Sequence, residues 1–486
     1  MRCSLHSPKR ILPRCYGKLL AIVFCLSTLS SAFAQKQKAD LLVTHGVVVT
    51  MDAQRHVVED GAIAVRGDAL LAVGTTAEIL ARYDSQHVLD AHGDLVMPGL
   101  INTHTHISMS LFRGLADDLA LDDWLHHYIF PAEAHFVTPA FVRSSAQLSL
   151  LEMLQGGTTT IADMYYFEDD VADVVSHAGM RGVLGETIIG FPSPDSKTTE
   201  DALDYTQRFL DHWKGNALIT AAVAPHSIYT CPEQLLQQAA ALARKNHSPI
   251  LMHMAEAPFE LELSRHQHGV SPVQYLERIG VLGPDVTGAH CIWMDTADIH
   301  TLAEHGVGCS YNPSSNMKTA AGLMPAVEMR AAGVPVGLGT DGAASNNNQD
   351  MFEEMDIAAK EQKFARMDPA ALRAEDVVAM ATIDGARALH MDKQIGSLEA
   401  GKKADFVLVN TTAPHATPMY NVYSAIVYSL KSSDVETVAV AGRLLMEDHR
   451  MLTLDQPAIL KEAAEYRRQL SASFSKTTEP VTAPKH

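Results

Sequence analysis

Apolar and polar positions divide the chain into a β-rich start, a long alternating middle and a β-rich end. Leu41 to Thr50, Ala62 to Val65 and Leu70 to Val73 are short alternating or β-branched runs. The turn signals Asp60-Gly61 and Arg66-Gly67-Asp68 separate them, which predicts strands. The texture returns late: Gly396-Ser397-Leu398 and Gly401-Lys402 lead into Ala404 to Val409, and Val435 to Val440 precedes Ala441-Gly442-Arg443. Two β-rich pieces flanking an α/β middle predict one small β-sandwich built from both ends of the chain.

The middle alternates strand-like runs with helical periods, the signature of a parallel sheet. Eight strands are expected: Val96 to Thr103, Thr158 to Asp163, Gly182 to Ile188, Ala217 to Ala224, Ile250 to His253, Thr287 to His290, Val307 to Tyr311 and Val334 to Gly339. Helices fall between them, among them Pro139 to Leu154, Pro232 to Lys245 and Met351 to Lys363, the first closed by Gly156-Gly157. A doubly wound open sheet is the alternative. Polar residues at almost every strand end favour a (β/α)8 TIM-like barrel, whose βα-loops ring one face. The domain order expected is a leader over 1–34, the first sandwich part over 35–97, a hydrolase barrel over 98–395, the second sandwich part over 396–455, and a tail over 456–486. That tail starts helical and ends disordered from Thr477.

The leader changes the picture of the N-terminus. Five basic residues precede the apolar stretch Leu19 to Leu29, and Ala32-Phe33-Ala34 follows. This is a secretory signal with cleavage after Ala34, which predicts an exported, periplasmic protein. The apolar stretch is too short for an anchor helix, which needs about 20 residues. Bulky Phe24 before Cys25 fits lipidation poorly, so no membrane anchor is expected after cleavage. Without its five leader cations the chain holds 57 acidic against 33 basic side chains, a net charge of −24. That balance disfavours nucleic-acid partners and suits a small-molecule substrate. Cys231, Cys291 and Cys309 remain after cleavage, without CxxC spacing, so at most one disulfide is expected.

The candidate chemistry sits at the strand ends. His104 and His106, two apart at the end of the first strand, share one face. His226 follows the fourth strand, His253 and Glu256 the fifth, His290 the sixth and Asp341 the eighth. Singly, each is more often structural: an Asp at a strand end often only caps the next helix. With 24 histidines in the chain, His45, His87, His126, His127 and His390 read as surface or core. Together, the strand-end residues occupy the same end of successive strands, which chance seldom arranges. His104, His106, His253 and Asp341 suit one divalent metal ion, Zn²⁺ or alternatively Fe²⁺, with an open position for water. Zinc would bring that water to a pKa of about 7, supplying hydroxide near neutrality. Asp341 can accept the water's proton, His290 can orient the attack, and Glu256 can act as general acid–base toward a ring nitrogen and the leaving group.

Pro98-Gly99-Leu100-Ile101-Asn102-Thr103-His104-Thr105-His106, His253-Met254-Ala255-Glu256, Gly288-Ala289-His290-Cys291 and the stretch from Gly339 to Asn347 resemble the amidohydrolase superfamily. The likeness is closest to 5-methylthioadenosine/S-adenosylhomocysteine deaminases and related chlorohydrolases, and it covers residues 40–450. It implies a distorted barrel with a composite β-sandwich and one divalent metal, usually zinc, with dimers expected. By that resemblance His104, His106, His253 and Asp341 are metal ligands, and Glu256 and His290 are catalytic. Glu133 holds ribose hydroxyls and His226 contacts substrate. Binuclear relatives carry a carboxylated lysine after strand four, where this chain has Ala224-Pro225-His226. The Cys-rich H-x-E…P-C-x-x-C signature of the other zinc deaminases is missing.

One departure concerns the third strand, where deaminases acting on S-adenosylhomocysteine place arginines. Glu186 stands there, and Lys197 is the only cation in the stretch from Gly185 to Lys197. A carboxylate facing the substrate's carboxylate would repel it, which predicts a neutral tail, as in 5-methylthioadenosine or adenosine. Trp124 is a candidate aromatic wall. The expected reaction is hydrolytic deamination of an adenine-type nucleoside with release of ammonia. The alternatives are a chlorohydrolase-like or cyclic amide hydrolysis on the same scaffold, and an exported binding protein with a vestigial site. A serine hydrolase lacks its Gly-x-Ser-x-Gly elbow.

Overall fold

The computed structural model describes residues 35–119 and 121–477. The leader expected over 1–34 and the tail beyond Thr477 fall outside these described residues. The described residues from Lys36 onward form one compact unit. Its centre is a ring of eight parallel strands, each hydrogen-bonded to the next: β1 (Leu100–Thr105), β2 (Thr158–Tyr165), β3 (Arg181–Ile188), β4 (Ile219–Pro225), β5 (Ile250–Met254), β6 (Val286–His290), β7 (Gly308–Tyr311) and β8 (Val336–Leu338). Side chains of β1 bring the last strand back to the first. Thr103 Oγ1 donates to Leu338 O at 2.9 Å, and Asn102 Nδ2 donates to Thr340 Oγ1 at 2.7 Å. The ring is filled, as such barrels require, by inward residues such as Ile101, Ala162, Val183, Ala222 and Leu251. Ala386, Leu389 and Ile395 plug one end.

The intervening helices follow local signals. Thr138 caps the helix Pro139–Gln155 by accepting from Phe141 N at 3.2 Å, Pro139 opens it and Gly156 ends it. The C-terminal helix Gln456–Thr477 lies against it through Ser144 Oγ, which donates to Glu462 Oε1 at 2.6 Å. Among the described residues no helix is long and apolar enough to cross a membrane. Cys231, Cys291 and Cys309 are buried free thiols, so the possible bridge is not formed.

Both ends of the chain contribute to one nine-stranded sheet. Its central strand Phe406–Val409 alternates cleanly: Phe406 and Leu408 enter a small core with Val43, Ile63 and Val96, while Val407 and Val409 join the main core around the barrel. The edge strand Ala69–Thr75 is stitched to the loop before Phe406, Leu70 N donating to Lys402 O at 2.8 Å. Two sequence expectations shift here. The expected first strand Val96 to Thr103 splits at Pro98-Gly99. Leu95–Pro98 pairs with Phe406–Val409 in the terminal sheet, and only Leu100–Thr105 enters the barrel. Pro98 has no N–H to continue a ladder, and a Cβ on Gly99 would lie 2.2 Å from Thr159 Cγ2. Asp60-Gly61, expected as a turn, lies inside the strand Val57–Arg66, with Gly61 paired to Gly46.

Barrel and sheet are clamped by a buried bidentate pair. Arg181 Nε and a terminal guanidinium nitrogen donate to the two oxygens of Asp405 at 2.8 and 3.1 Å, with side-chain exposures of 2% and 4%. Asp405→Ala strands the guanidinium without its anion, and is expected to destabilise the fold by about 3–5 kcal/mol, read from urea unfolding.

Candidate active site

The strand ends converge on one cluster of imidazoles. His104 lies near the end of β1, and the chain turns at His106 into the short helix Ile107–Phe112; the two rings stand 4.8 Å apart. His253 on β5 brings its ring 5.0 Å from His104 and 5.3 Å from His106. His290 at the end of β6 lies 5.4 Å from His104. Both His290 (φ 72°) and Asp341 (φ 61°) adopt the left-handed backbone region, an uncommon conformation for residues with a Cβ that recurs at functional sites. The turn before Asp341 needs Gly339, where a Cβ would meet Asn312 Oδ1 at 2.4 Å and His104 N at 2.8 Å.

The hydrogen bonds decide which nitrogens face inward. His106 Nδ1 donates to Met164 O at 2.6 Å, and His253 Nδ1 donates to His226 O at 3.0 Å. Carbonyls only accept, so each neutral ring keeps its proton on Nδ1 and leaves Nε2 a bare lone pair. Those two Nε2 atoms face each other at 3.2 Å. His104 Nε2 is buried with no hydrogen-bond partner, 3.5 Å from Asp341 Oδ1, and His106 Nε2 lies 3.4 Å from the same oxygen. Lone pairs and a carboxylate pointed at one another repel; a divalent cation among them resolves the conflict. The donor set fits such an ion, and the same atoms form the clusters that could hold one. His290 joins one of those clusters with His104 and His253.

Electrostatics agree with neutral imidazoles. Burial pulls His104 down to about 4 and His226 down to about 3, and holds His253 well below its usual range. Burial alone would raise Asp341, but the imidazoles around it, His104 first and then His290 and His106, keep it well below the usual carboxylate range. His290 goes the other way. Burial would lower it, but Glu256 and Asp341 outweigh burial and raise it. Its Nδ1 donates to Asn316 Oδ1 at 2.9 Å, and its Nε2 lies 3.6 Å from Glu256 Oε1. Glu256 is raised by its own burial, and its loop is fastened by Glu260, which accepts from Ala255 N and Glu256 N at 2.9 Å each.

All eight residues singled out from the sequence meet here. His106, His226, His253, Glu256, His290, Asp341 and Glu133 line one cavity, and His104 lies beneath them. Glu133 comes from a helical stretch over 121–136 that roofs the cavity and also brings Trp124. Pro131 cannot donate to the preceding turn, and just before it the helix widens: Phe130 N donates five residues back to Leu125 O. Tyr165 OH donates to Glu133 Oε1 at 2.7 Å, pinning roof to barrel.

Glu186 corrects the sequence argument built on it. Along β3, Thr187 lines the cavity, so its neighbour Glu186 points out toward the helices. It is fully buried there, accepts from Glu168 N at 3.0 Å, and burial with nearby Asp195 pushes its carboxyl well above the usual range. It cannot repel a substrate carboxylate.

Three supporting residues were missed. Ser315 Oγ and Ser345 Oγ donate to Asp341 Oδ2 at 2.6 and 2.9 Å, leaving Oδ1 toward the imidazoles, and Asn316 fixes the tautomer of His290. The polar run Asn312-Pro313-Ser314-Ser315-Asn316 at the end of β7 was the signal, since every neighbouring strand end carried chemistry. Ser345→Ala is expected to weaken divalent-metal binding about tenfold, read by competition with a chromophoric chelator.

The model of the amidohydrolase family matches residues 95–445. The chain belongs to the amidohydrolase family. With it come metal dependence and hydrolysis of carbon–nitrogen bonds. This amidohydrolase is 43% identical over 445 residues, 92% of its length and 100% of the relative's, to "5-methylthioadenosine/S-adenosylhomocysteine deaminase 1" of Syntrophus aciditrophicus. It is 44% identical over 411 residues, 84% of its length and 95% of the relative's, to "5'-deoxyadenosine deaminase" of Methanothermobacter thermautotrophicus. Its fold superposes on an adenosine deaminase from Xanthomonas campestris solved with bound zinc. The TM-score is 0.88 at 35% identity, over 90% of this chain and 100% of that one.

Proposed function

We propose that this amidohydrolase deaminates adenine-type nucleosides by hydrolysis, with one zinc ion held by His104, His106, His253 and Asp341. The bare, mutually facing Nε2 atoms of His106 and His253 carry the reading, and the deaminase relatives point to the same reaction. A divalent ion in that position supplies a Lewis acid and an acidified water. His290, its tautomer set by Asn316, presents Nε2 to orient that water toward the purine ring carbon bearing the amino group. Asp341 Oδ1 takes a water proton. Glu256 gives a proton to the adjacent ring nitrogen, which lets the ring carbon accept the oxygen. The proton held by Asp341 passes to the amino group, which leaves as ammonia, and the hydroxyl proton returns to Glu256 as the carbonyl forms. Oxygen enters, ammonia leaves, and the product is the hypoxanthine nucleoside. His226 and Glu133 bear on the rest of the substrate from the cavity wall.

The test is ammonia release by the zinc-loaded protein from 5'-deoxyadenosine, 5-methylthioadenosine and adenosine, with guanine and a chlorotriazine alongside. Turnover of the adenine nucleosides is expected; chlorotriazine turnover without ammonia from any nucleoside would replace this reading by the chlorohydrolase one. The basic, apolar and Ala-x-Ala pattern of residues 1–34 supports action outside the cytoplasm, checked by whether the mature protein begins at Gln35.

Glu133 gives the reaction an acid limb. Burial raises its pKa to about 7, against the lowering hydrogen bond from Tyr165. Above pH 7 the carboxylate accepts from ribose hydroxyls; below it the proton blocks that. The expected result is a kcat/KM that falls below pH 7 for ribosides and not for a 2',3'-dideoxynucleoside. In Tyr165→Phe the limb moves to higher pH, since the hydrogen bond that lowers Glu133 is gone. An identical limb for the dideoxy substrate would remove Glu133 from the ribose.

A further inference from the structure

The cavity's charge and its roof bear on the part of the substrate furthest from the reacting carbon. With the amino-bearing carbon at the imidazole cluster and the neighbouring ring nitrogen at Glu256, the ribose and its 5' substituent extend away from the floor, toward the roof over 121–136. This placement rests on the deaminase reading above. The roof is apolar: Leu125 and Ile129 are 8% and 1% exposed and line the cavity with Phe130. Phe130 continues outward into Phe191, the ring centroids 5.6 Å apart, and Phe191 is 43% exposed.

The charged side chains lining the cavity are Glu133, Glu256 and Asp341, all acidic, and among the described residues no lysine or arginine lines it. Two cations on the roof's flanking segments are engaged elsewhere. Lys318 donates to Asp117 Oδ1 at 2.5 Å and to Asn347 Oδ1 at 2.6 Å, and Arg113 pairs with Glu152. A tail ending in an α-carboxylate would therefore enter an apolar space in which, among the described residues, no lysine or arginine of the wall can pair with it. Its ammonium gains little in return, because Glu133 is already bonded to Tyr165.

We infer that Leu125, Ile129, Phe130 and Phe191 form a subsite for a neutral, apolar 5' substituent, and that Phe130 and Phe191 determine selectivity against nucleosides with an amino-acid tail. The aromatic pair covers a deoxymethyl or alkylthio group and has nothing to offer a carboxylate.

The experiment compares kcat/KM for 5-methylthioadenosine, 5'-deoxyadenosine and S-adenosylhomocysteine on the zinc-loaded chain and on two variants. Wild type is expected to favour 5-methylthioadenosine over S-adenosylhomocysteine by about 50-fold or more. Phe191→Arg, at an exposed position, is expected to raise the S-adenosylhomocysteine to 5-methylthioadenosine ratio about fivefold by supplying the missing cation. Phe130→Ala is expected to erase the advantage of the methylthio over the deoxy substrate, through KM rather than kcat. Equal or better use of S-adenosylhomocysteine by wild type overturns the inference and leaves the deaminase reading intact. So does a Phe191→Arg variant whose ratio is unchanged. Failure to release ammonia from all three nucleosides removes the deaminase reading itself, and the subsite with it.

Discussion

Glu256→Gln is expected to lower kcat for adenine nucleosides by about 10³-fold with little change in KM, measured as steady-state ammonia release. Glutamine keeps the shape and one hydrogen-bonding oxygen, so the loop held by Glu260 stays in place. What disappears is the transferable proton. Adenine is aromatic, and attack on its ring is uphill unless the neighbouring ring nitrogen takes that proton as the new bond forms. The amino group, moreover, is a poor leaving group until it becomes ammonia. Burial raises Glu256 and so favours the protonated form that can donate. A substrate whose leaving group needs no proton provides the internal check. On a 6-chloropurine nucleoside the loss should shrink to about tenfold, since chloride departs as the anion. A loss below tenfold on adenosine itself would take the acid role away from Glu256.

Removal of the metal is expected to abolish activity, below about 10⁻⁴ of the loaded enzyme, with zinc restoring it and His253→Ala preventing that restoration. The reason is structural as much as chemical. Without an ion, two bare imidazole nitrogens sit 3.2 Å apart and His104 Nε2 has no partner in a buried site. The loaded protein should consequently be more stable, by about 2.7 kcal/mol when free zinc is a hundredfold above its Kd, seen as a rise of several degrees in Tm. In His253→Ala both the zinc-dependent Tm rise and the rescue should be lost together. Full activity in a chelated protein with no residual metal would sink the assignment of this donor set.

The terminal strands show how much a local pattern can carry. The β-rich texture of Ala404 to Val409 predicted a strand, and in the fold its neighbours Phe406 and Val407 enter different cores. It could not foretell that Leu95–Pro98 leaves the barrel for this sheet. Both sheets accept an apolar run, and only the Pro98-Gly99 break and the close approach of Thr159 decide between them.

The candidate chemistry was legible because barrel geometry places every strand's C-terminal end at one face. His104, His106, His226, His253, Glu256, His290 and Asp341 needed only their positions at strand ends to be gathered, and Glu133 needed the family likeness. Direction across a strand was harder: Glu186 and Thr187 are neighbours, yet one faces the helices and the other the cavity. Period and strand-end position are local properties, so the sequence carried the fold class and the residues gathered at the candidate site. The tertiary structure alone decided the apolar roof, the serine clamp on Asp341 and the closure of β1 onto the residues after β8. These depend on contacts such as Asn102 to Thr340, 238 residues apart, whose formation no local pattern encodes.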